Sequence, residues 1–273
     1  MFKDFMKKQL LITFLILVFS FASANAHDLF LKLEDFFLLP KSKATVRVLN
    51  GSFKISEGAV KLERLRDISL VTPNNELEHP QLPSWRQDAS TTTSLFDLET
   101  TQEGNYVIGI STKFKDIELK ADKFNEYLVH DGIPDTLEER KKSGELNKDV
   151  KEKYSKHVKA IFQVGSKQTD NFKKSLNYPV EIIPQQNPYL LKAGQEIEVL
   201  CLQEEKPIAN QFILAGCENL NKEISARTNS SGIATIPLST NGKWYIKFIY
   251  MSPSQEPGFN YESKWATLTF AIK

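Results

Sequence analysis

From Leu29 onward, apolar and polar positions alternate. Leu29, Leu31 and Leu33 share one face while Phe30 and Lys32 share the other, a period of two that predicts a half-buried strand. Val46 and Val48 run into Asn50-Gly51, a strand closed by a tight turn. The alternation returns at residues 60–64, 94–98 and 104–110, interrupted by a loop over 73–83 that carries prolines at both ends. Short strands at this spacing, with turn residues between them, predict a β-sandwich.

The period changes near Leu119. Phe124, Tyr127 and Leu128 lie at helical spacing, and Gly132-Ile133-Pro134-Asp135 breaks the run. Residues 138–153 interleave lysines with glutamates, the mark of a solvated helical face rather than of paired catalytic acids. A second helix is expected over 150–162, with Val150, Tyr154, Val158 and Ile161 on one face and Gly165 beyond its end. The β pattern then resumes. Residues 179–184 form a strand between prolines, 197–202 and 208–217 read as a hairpin across 204–207, and further strands run to Phe270. The expected architecture is mainly β: two β-sandwich domains, 27–118 and 178–273, with a charged helical insertion over 119–177.

Ahead of the first strand stands a different kind of segment. Lys3, Lys7 and Lys8 precede an apolar run over 10–21, and Ala24-Asn25-Ala26 follows. A basic end, a short apolar stretch and an A-x-A site make residues 1–26 a secretory signal peptide with cleavage expected after Ala26. The run is shorter than the roughly 20 apolar residues that span a bilayer. The mature protein is therefore expected to be periplasmic or secreted and not integral to the membrane. Its new terminus would be His27-Asp28-Leu29-Phe30.

Composition narrows the function classes. The 273 residues are 41% hydrophobic and carry 35 basic against 34 acidic side chains, so no field recruits nucleic acid. Losing the leader removes three lysines and one aspartate, which takes the charge from +1 to −1. Two cysteines make neither a disulfide scaffold nor a zinc cluster. In the expected hairpin, Cys201 and Cys217 fall in neighbouring strands, but Cys201 would face residue 211 rather than 217, which argues against a direct bridge. The chain has no G-x-S-x-G, H-E-x-x-H, Walker or dinucleotide loop, so it is read as a non-enzyme without an organic cofactor.

Several stretches in order carry a family resemblance. They are Ala26-His27-Asp28-Leu29-Phe30-Leu31, Lys123-Phe124-Asn125-Glu126-Tyr127-Leu128 with Asp131-Gly132-Ile133, and Tyr154-Ser155-Lys156-His157-Val158-Lys159-Ala160 with Val164-Gly165. They continue as Pro179-Val180-Glu181-Ile182-Ile183-Pro184, Asn187-Pro188-Tyr189 and Glu262-Ser263-Lys264-Trp265-Ala266-Thr267. Together they resemble the DUF4198 family, exported bacterial proteins grouped with periplasmic components of cobalt and nickel uptake systems. The C-terminal strand pattern resembles immunoglobulin-like and carboxypeptidase-regulatory sandwiches. The resemblance implies metal handling and a membrane transport system as partner.

His27 is the residue whose position suggests a task. The α-amine and imidazole Nδ1 of a terminal histidine can chelate one ion, and both nitrogens deprotonate near neutral pH at modest cost. Nitrogen donors favour late divalent ions such as nickel, cobalt or copper. The bland alternative is that some residue must stand first after cleavage. Further donors would come from His157, His130 or Asp28, the last as ligand or as the group that orients His27. None of these has metal-ligand spacing in sequence; His157 reads equally as a core-edge histidine and His130 as a surface residue. The leading expectation is a metal-binding carrier serving uptake. Its rivals are a metal-free sandwich module for a protein or glycan partner, and a copper-dependent oxidative enzyme with a terminal histidine brace.

Overall fold

The computed structural model describes residues 27–273, so the expected leader and its cleavage site lie outside the described residues. The first strands are β1 (Asp28–Leu33), β2 (Phe37–Leu38), β3 (Lys43–Gly51), β4 (Leu65–Val71), β5 (Leu77–Glu78) and β6 (Arg86–Gln87). Then come β7 (Ser94–Glu99), β8 (Gly104–Thr112), β9 (Lys115–Leu119), helices α1 (Ala121–His130) and α2 (Pro134–Ser143), and β10 (Val150–Val164). The remainder is β11 (Val180–Pro184), β12 (Gln195–Gln203), β13 (Lys206–Pro207), β14 (Phe212–Cys217), β15 (Ile224–Arg227), β16 (Ile233–Leu238), β17 (Gly242–Pro253) and β18 (Tyr261–Ile272).

The mainly-β expectation holds, in three sheets. A central sheet runs β15-β14-β17-β18-β10-β8-β4-β5, with β2 and β9 also pairing with β10. A sheet ordered β1-β3-β7-β6 covers one face of it, and β11-β12-β13, with β16 on β12, covers the other. Two cores result. Leu31, Val46 and Phe96 of the first sheet meet Ile108, Val158 and Phe162 of the central one. On the opposite face Ile182, Val199 and Ile236 meet Ile161, Ile246, Leu268 and Phe270. The central sheet is a wall common to both cores, because β10 joins the strands of the N-terminal half to β18 through a parallel ladder from Glu152↔Tyr261 to Ala160↔Thr269.

This corrects the expectation of a helix over 150–162, which is a strand. Val150, Tyr154 and Val158 recur every four residues, and a step of four keeps one face in a strand as well as in a helix. The positions between them decide the matter. Val158, Ala160, Phe162 and Val164 line one core while Ile161 enters the other, so the apolar run is buried on both faces as only an interior strand allows. The helical part of 119–177 is thus limited to α1, α2 and a single 3-10 turn at Asn171–Lys173. The two helices pack Phe124, Tyr127, Leu128 and Ile133 against Trp265 and Tyr261 at the end of the central sheet.

The hairpin over 197–217 is also corrected. Its turn forms at Glu204 and Glu205, both with positive φ, and pairs Gln203 with Lys206 and Leu202 with Pro207. Pro207 lacks an N–H to extend a ladder, and β14 pairs with β17 in the central sheet instead. Cys201 and Cys217 consequently sit in different sheets that wall the same core, both buried and both free thiols. Among the described residues no helix is long and apolar enough to cross a membrane.

Candidate functional site

The chain enters the described fold at His27, and the first turn of backbone is held from both sides. β1 pairs antiparallel with β3, setting Asp28 opposite Gly51. Asp28 reaches across to β17, where its Oδ2 lies 2.5 Å from Lys247 Nζ. The same ammonium has Glu223 Oε1 at 3.5 Å and Asp131 Oδ1 at 3.9 Å. Lys247 is 5% exposed. Burial works against its charge, but the carboxylates of Asp28, Glu223 and Asp131 outweigh it and raise its pKa above the ordinary lysine value. Asp131 shows the cost of the crowding: burial, then the neighbouring Asp28 carboxylate, push its pKa up to about 6. Asp28 Oδ1 is buried with no hydrogen-bond partner among the described residues.

A second lysine fixes the preceding peptide. Lys156, on β10, donates from Nζ to the carbonyl oxygen of His27 and lies 4.9 Å from the ring centre of Trp265. Burial lowers its pKa to about 8, partly offset by the Asp28 and Asp131 carboxylates. Four residues earlier on the same strand face, Glu152 accepts from the hydroxyls of Ser263 and, at 3.3 Å, Tyr127. Burial raises its pKa to about 7, and its Oε2 has no partner among the described residues. Two residues apart keep one face of a strand, so Glu152, Tyr154 and Lys156 form a row ending beneath His27 (the lysine–carbonyl bond closes it).

The candidates from sequence separate into two places. The imidazole of His27 is half-exposed, with Nδ1 3.6 Å from Oε2 of Glu57 in the loop after β3. His130 ends α1 with its side chain 87% exposed and Nδ1 3.2 Å from Asp131 Oδ1, so it touches the carboxylate group around Lys247. Asp28 joins that same group. His157 does not. It points to the opposite face of β10 from Lys156, with Nδ1 2.9 Å from Ser111 Oγ and Nε2 2.9 Å from Ser155 Oγ. Burial, with Arg66 and Lys264 nearby, lowers its pKa to about 3. A neutral imidazole whose two nitrogens are both occupied by hydroxyls has no free lone pair to offer. Among the described residues, no group of three or more His, Cys, Asp or Glu side chains gathers in a geometry that could hold a metal ion.

Sequence reasoning missed Glu57, Lys156 and Lys247. Lys247 gave no signal, because it takes the polar place in the alternation of Trp244, Ile246 and Phe248, which reads as a solvated face; its burial comes only from the fold.

Among solved structures, the human OSCAR ligand-binding domain aligns with 8% identity over 90% of this chain and 99% of its own, at a TM-score of 0.21. Murine CEACAM1b aligns with 10% identity over 90% of this chain and all (100%) of its own, at 0.22. A tetra-tandem repeat from the extending region of a large adhesion protein gives 10% identity, 90% and 49% coverage, and 0.23. No curated protein matches the sequence. The family model for a domain of unknown function, DUF4198, matches residues 24–252. With most of the chain inside that match, and with the His-Asp opening and β10 included in it, the protein belongs to the DUF4198 family.

Proposed function

We propose that the mature chain is an exported binding protein for a divalent transition ion (nickel, cobalt or copper), which it carries for a membrane uptake system. The observation that carries this reading is the 3.6 Å approach of His27 Nδ1 to Glu57 Oε2. Cleavage after Ala26 would add an α-amine to that pair, making two nitrogens and one carboxylate at a single point of the surface. This donor set suits late divalent ions better than calcium or magnesium. The support around it fits the role. Lys156 holds the His27 carbonyl and Lys247 holds Asp28, so the backbone is fixed while the imidazole stays accessible. Glu57 replaces His157 as the further donor in this reading. Asp28 and His130 serve the lysine-centred cluster beside it, and the ion is cargo rather than a catalytic centre.

Calorimetric titration of nickel, cobalt and copper ions into protein beginning at His27 tests the proposal. The controls are a form with one residue added ahead of His27 and the variant Glu57→Gln. One-to-one binding that weakens at least about tenfold in both controls, or about 1.4 kcal/mol, is the expected result. Equal binding in all forms, or none in any, overturns it. A metal-free contact surface for a protein or glycan is the second reading. It rests on Ile55 and Val129, which are 66% and 67% exposed and lie beside Glu57 and His130.

A further inference from the structure

A cleft of about 490 Å³ opens between the first sheet and the β8–β9 turn, and Lys156 lines it. Leu29, Val60, Phe114 and Tyr154 supply apolar and aromatic surface, which makes this a volume for a small organic molecule. Its charge is one-sided. Lys61, Arg64, Lys113, Lys115 and Lys156 line it against the single carboxylate of Glu63. That carboxylate lies at the rim, 75% exposed and 4.0 Å from Lys61.

Two of the cations are built in rather than left at the surface. Arg64 Nη1 donates to the carbonyls of Lys113 and, at 3.2 Å, Phe114, and its guanidinium lies 5.9 Å from the ring centre of Tyr154. Those bonds fix the guanidinium plane without neutralising it. Lys156 is 6% exposed, and its ammonium has one hydrogen-bond partner among the described residues, the neutral carbonyl of His27. The carboxylates of Asp28, Asp131 and Glu152 act on it only from a distance, and among the described residues none forms an ion pair with it; Asp28 bonds Lys247, and Glu152 bonds Ser263 and Tyr127. Burying an ammonium without a paired anion is costly, and a ligand that brings the anion would remove that cost on binding.

We propose that this cleft binds a small organic anion, with its carboxylate or phosphate oxygens on Arg64 and Lys156 and its apolar body against Leu29, Val60 and Tyr154. The site shares Lys156 with the support of the His27 peptide but none of the metal donors, since neither the His27 nitrogens nor Glu57 takes part.

Trp265, stacked near Lys156, reports occupancy by fluorescence. The titration uses chelator-treated protein with phenyl phosphate, phenylacetate and the uncharged phenylacetamide. Saturable binding of at least one anion, about tenfold or more tighter than the amide, is expected. The two anions decide between phosphate and carboxylate as the preferred group. Lys156→Met and Arg64→Gln should each weaken the anion about tenfold or more while leaving circular dichroism unchanged, and Lys61→Gln at the rim should cost less than about threefold. Binding should be the same when one residue is added ahead of His27, a change expected to weaken metal binding; the two proposals therefore fail separately. Equal affinity for anion and amide, no binding of any probe, or undiminished anion binding by folded Lys156→Met would overturn the assignment.

Discussion

His157 gives the sharpest test of how β10 carries charge through the molecule. The ring is 2% exposed, lies 6.0 Å from that of Tyr178, and is held between Ser111 and Ser155. Burial first, then the cations of Arg66 and Lys264, lower its pKa from 6.5 to about 3, against a smaller opposing effect of Glu181. A depressed folded pKa means that the unfolded chain binds the proton first. Stability linked to this group is complete above pH 6.5 and drains away as pH falls toward 3. One proton gives a slope of about 1.4 kcal/mol per pH unit, with a ceiling of about 5 kcal/mol over the whole interval. That is comparable with the total stability of an ordinary domain, about 5–15 kcal/mol.

The wild-type profile alone would hide the effect, because Glu152 titrates with the opposite sign in an overlapping window. The comparison is therefore with His157→Gln, using urea unfolding followed by tryptophan fluorescence from pH 8 to pH 4.5. At pH 8 the variant should be less stable by about 1–3 kcal/mol, the cost of leaving a buried hydroxyl unpaired. Below pH 6.5 the gap should close by about 1.4 kcal/mol per unit, so that the two proteins match near about pH 5 and the variant is the more stable below it. A gap that stays constant across the range would mean that His157 is not a neutral, desolvated histidine, and the placement of β10 between two cores would be wrong.

Glu152 should show the reverse. Its raised folded pKa, about 7 against 4.5, makes the buried charge a penalty that begins above pH 4.5 and is complete above 7. Glu152→Gln should therefore gain on wild type by up to about 3 kcal/mol between those limits; thermal unfolding at pH 4.5 and 8 checks this, and a difference that does not grow refutes it. Lys247→Met leaves Asp28, Asp131 and Glu223 without their shared cation, at an expected cost of about 3–5 kcal/mol at pH 7. Part of that loss should return at pH 5 as Asp131 protonates; a loss under about 1 kcal/mol would show the cluster to be solvated. Lys159 and Glu181 form a 2.8 Å ion pair with both side chains 2% exposed. Lys159→Met should cost about 3–5 kcal/mol in urea unfolding, because Glu181 stays buried to bond the amides of Leu176 and Tyr178. A near-neutral result would indicate that Glu181 protonates without loss.

The mainly-β class was legible because period-two alternation in strands such as β3 and β7 comes from one buried face per strand, which sequence displays directly. β10 was not, for a physical reason. Its first half, Val150-Lys151-Glu152-Lys153-Tyr154-Ser155-Lys156-His157, looks like a solvated helix because its charges are satisfied by partners far away in sequence. Glu152 meets Ser263, Lys156 meets His27, and Lys159 meets Glu181. Polarity predicts exposure only when the partners are water. The same failure divided the candidate site. His27 and Asp28 could be named because the expected cleavage site would put them at a chain end, whereas Glu57, Lys156 and Lys247 reach them only through the fold.

The pattern of those missed residues bears on function. Charges needed only for folding would be matched within the protein, as Lys159 is by Glu181. Lys247 is matched too, and by more acid than it needs. Lys156 has only a carbonyl, although it is as buried as either of them. It stands where the row of Glu152 and Tyr154 meets both the His27 peptide and the basic cleft. Replacing such a residue with a hydrocarbon should cost little stability, since burial of its charge is not repaid by an ion pair. Lys156→Met is therefore expected to unfold at the same urea concentration as wild type or higher, while losing anion binding. A variant that is destabilised by more than about 2 kcal/mol would refute this reasoning, because an unpaired ammonium cannot contribute that much to the ligand-free fold.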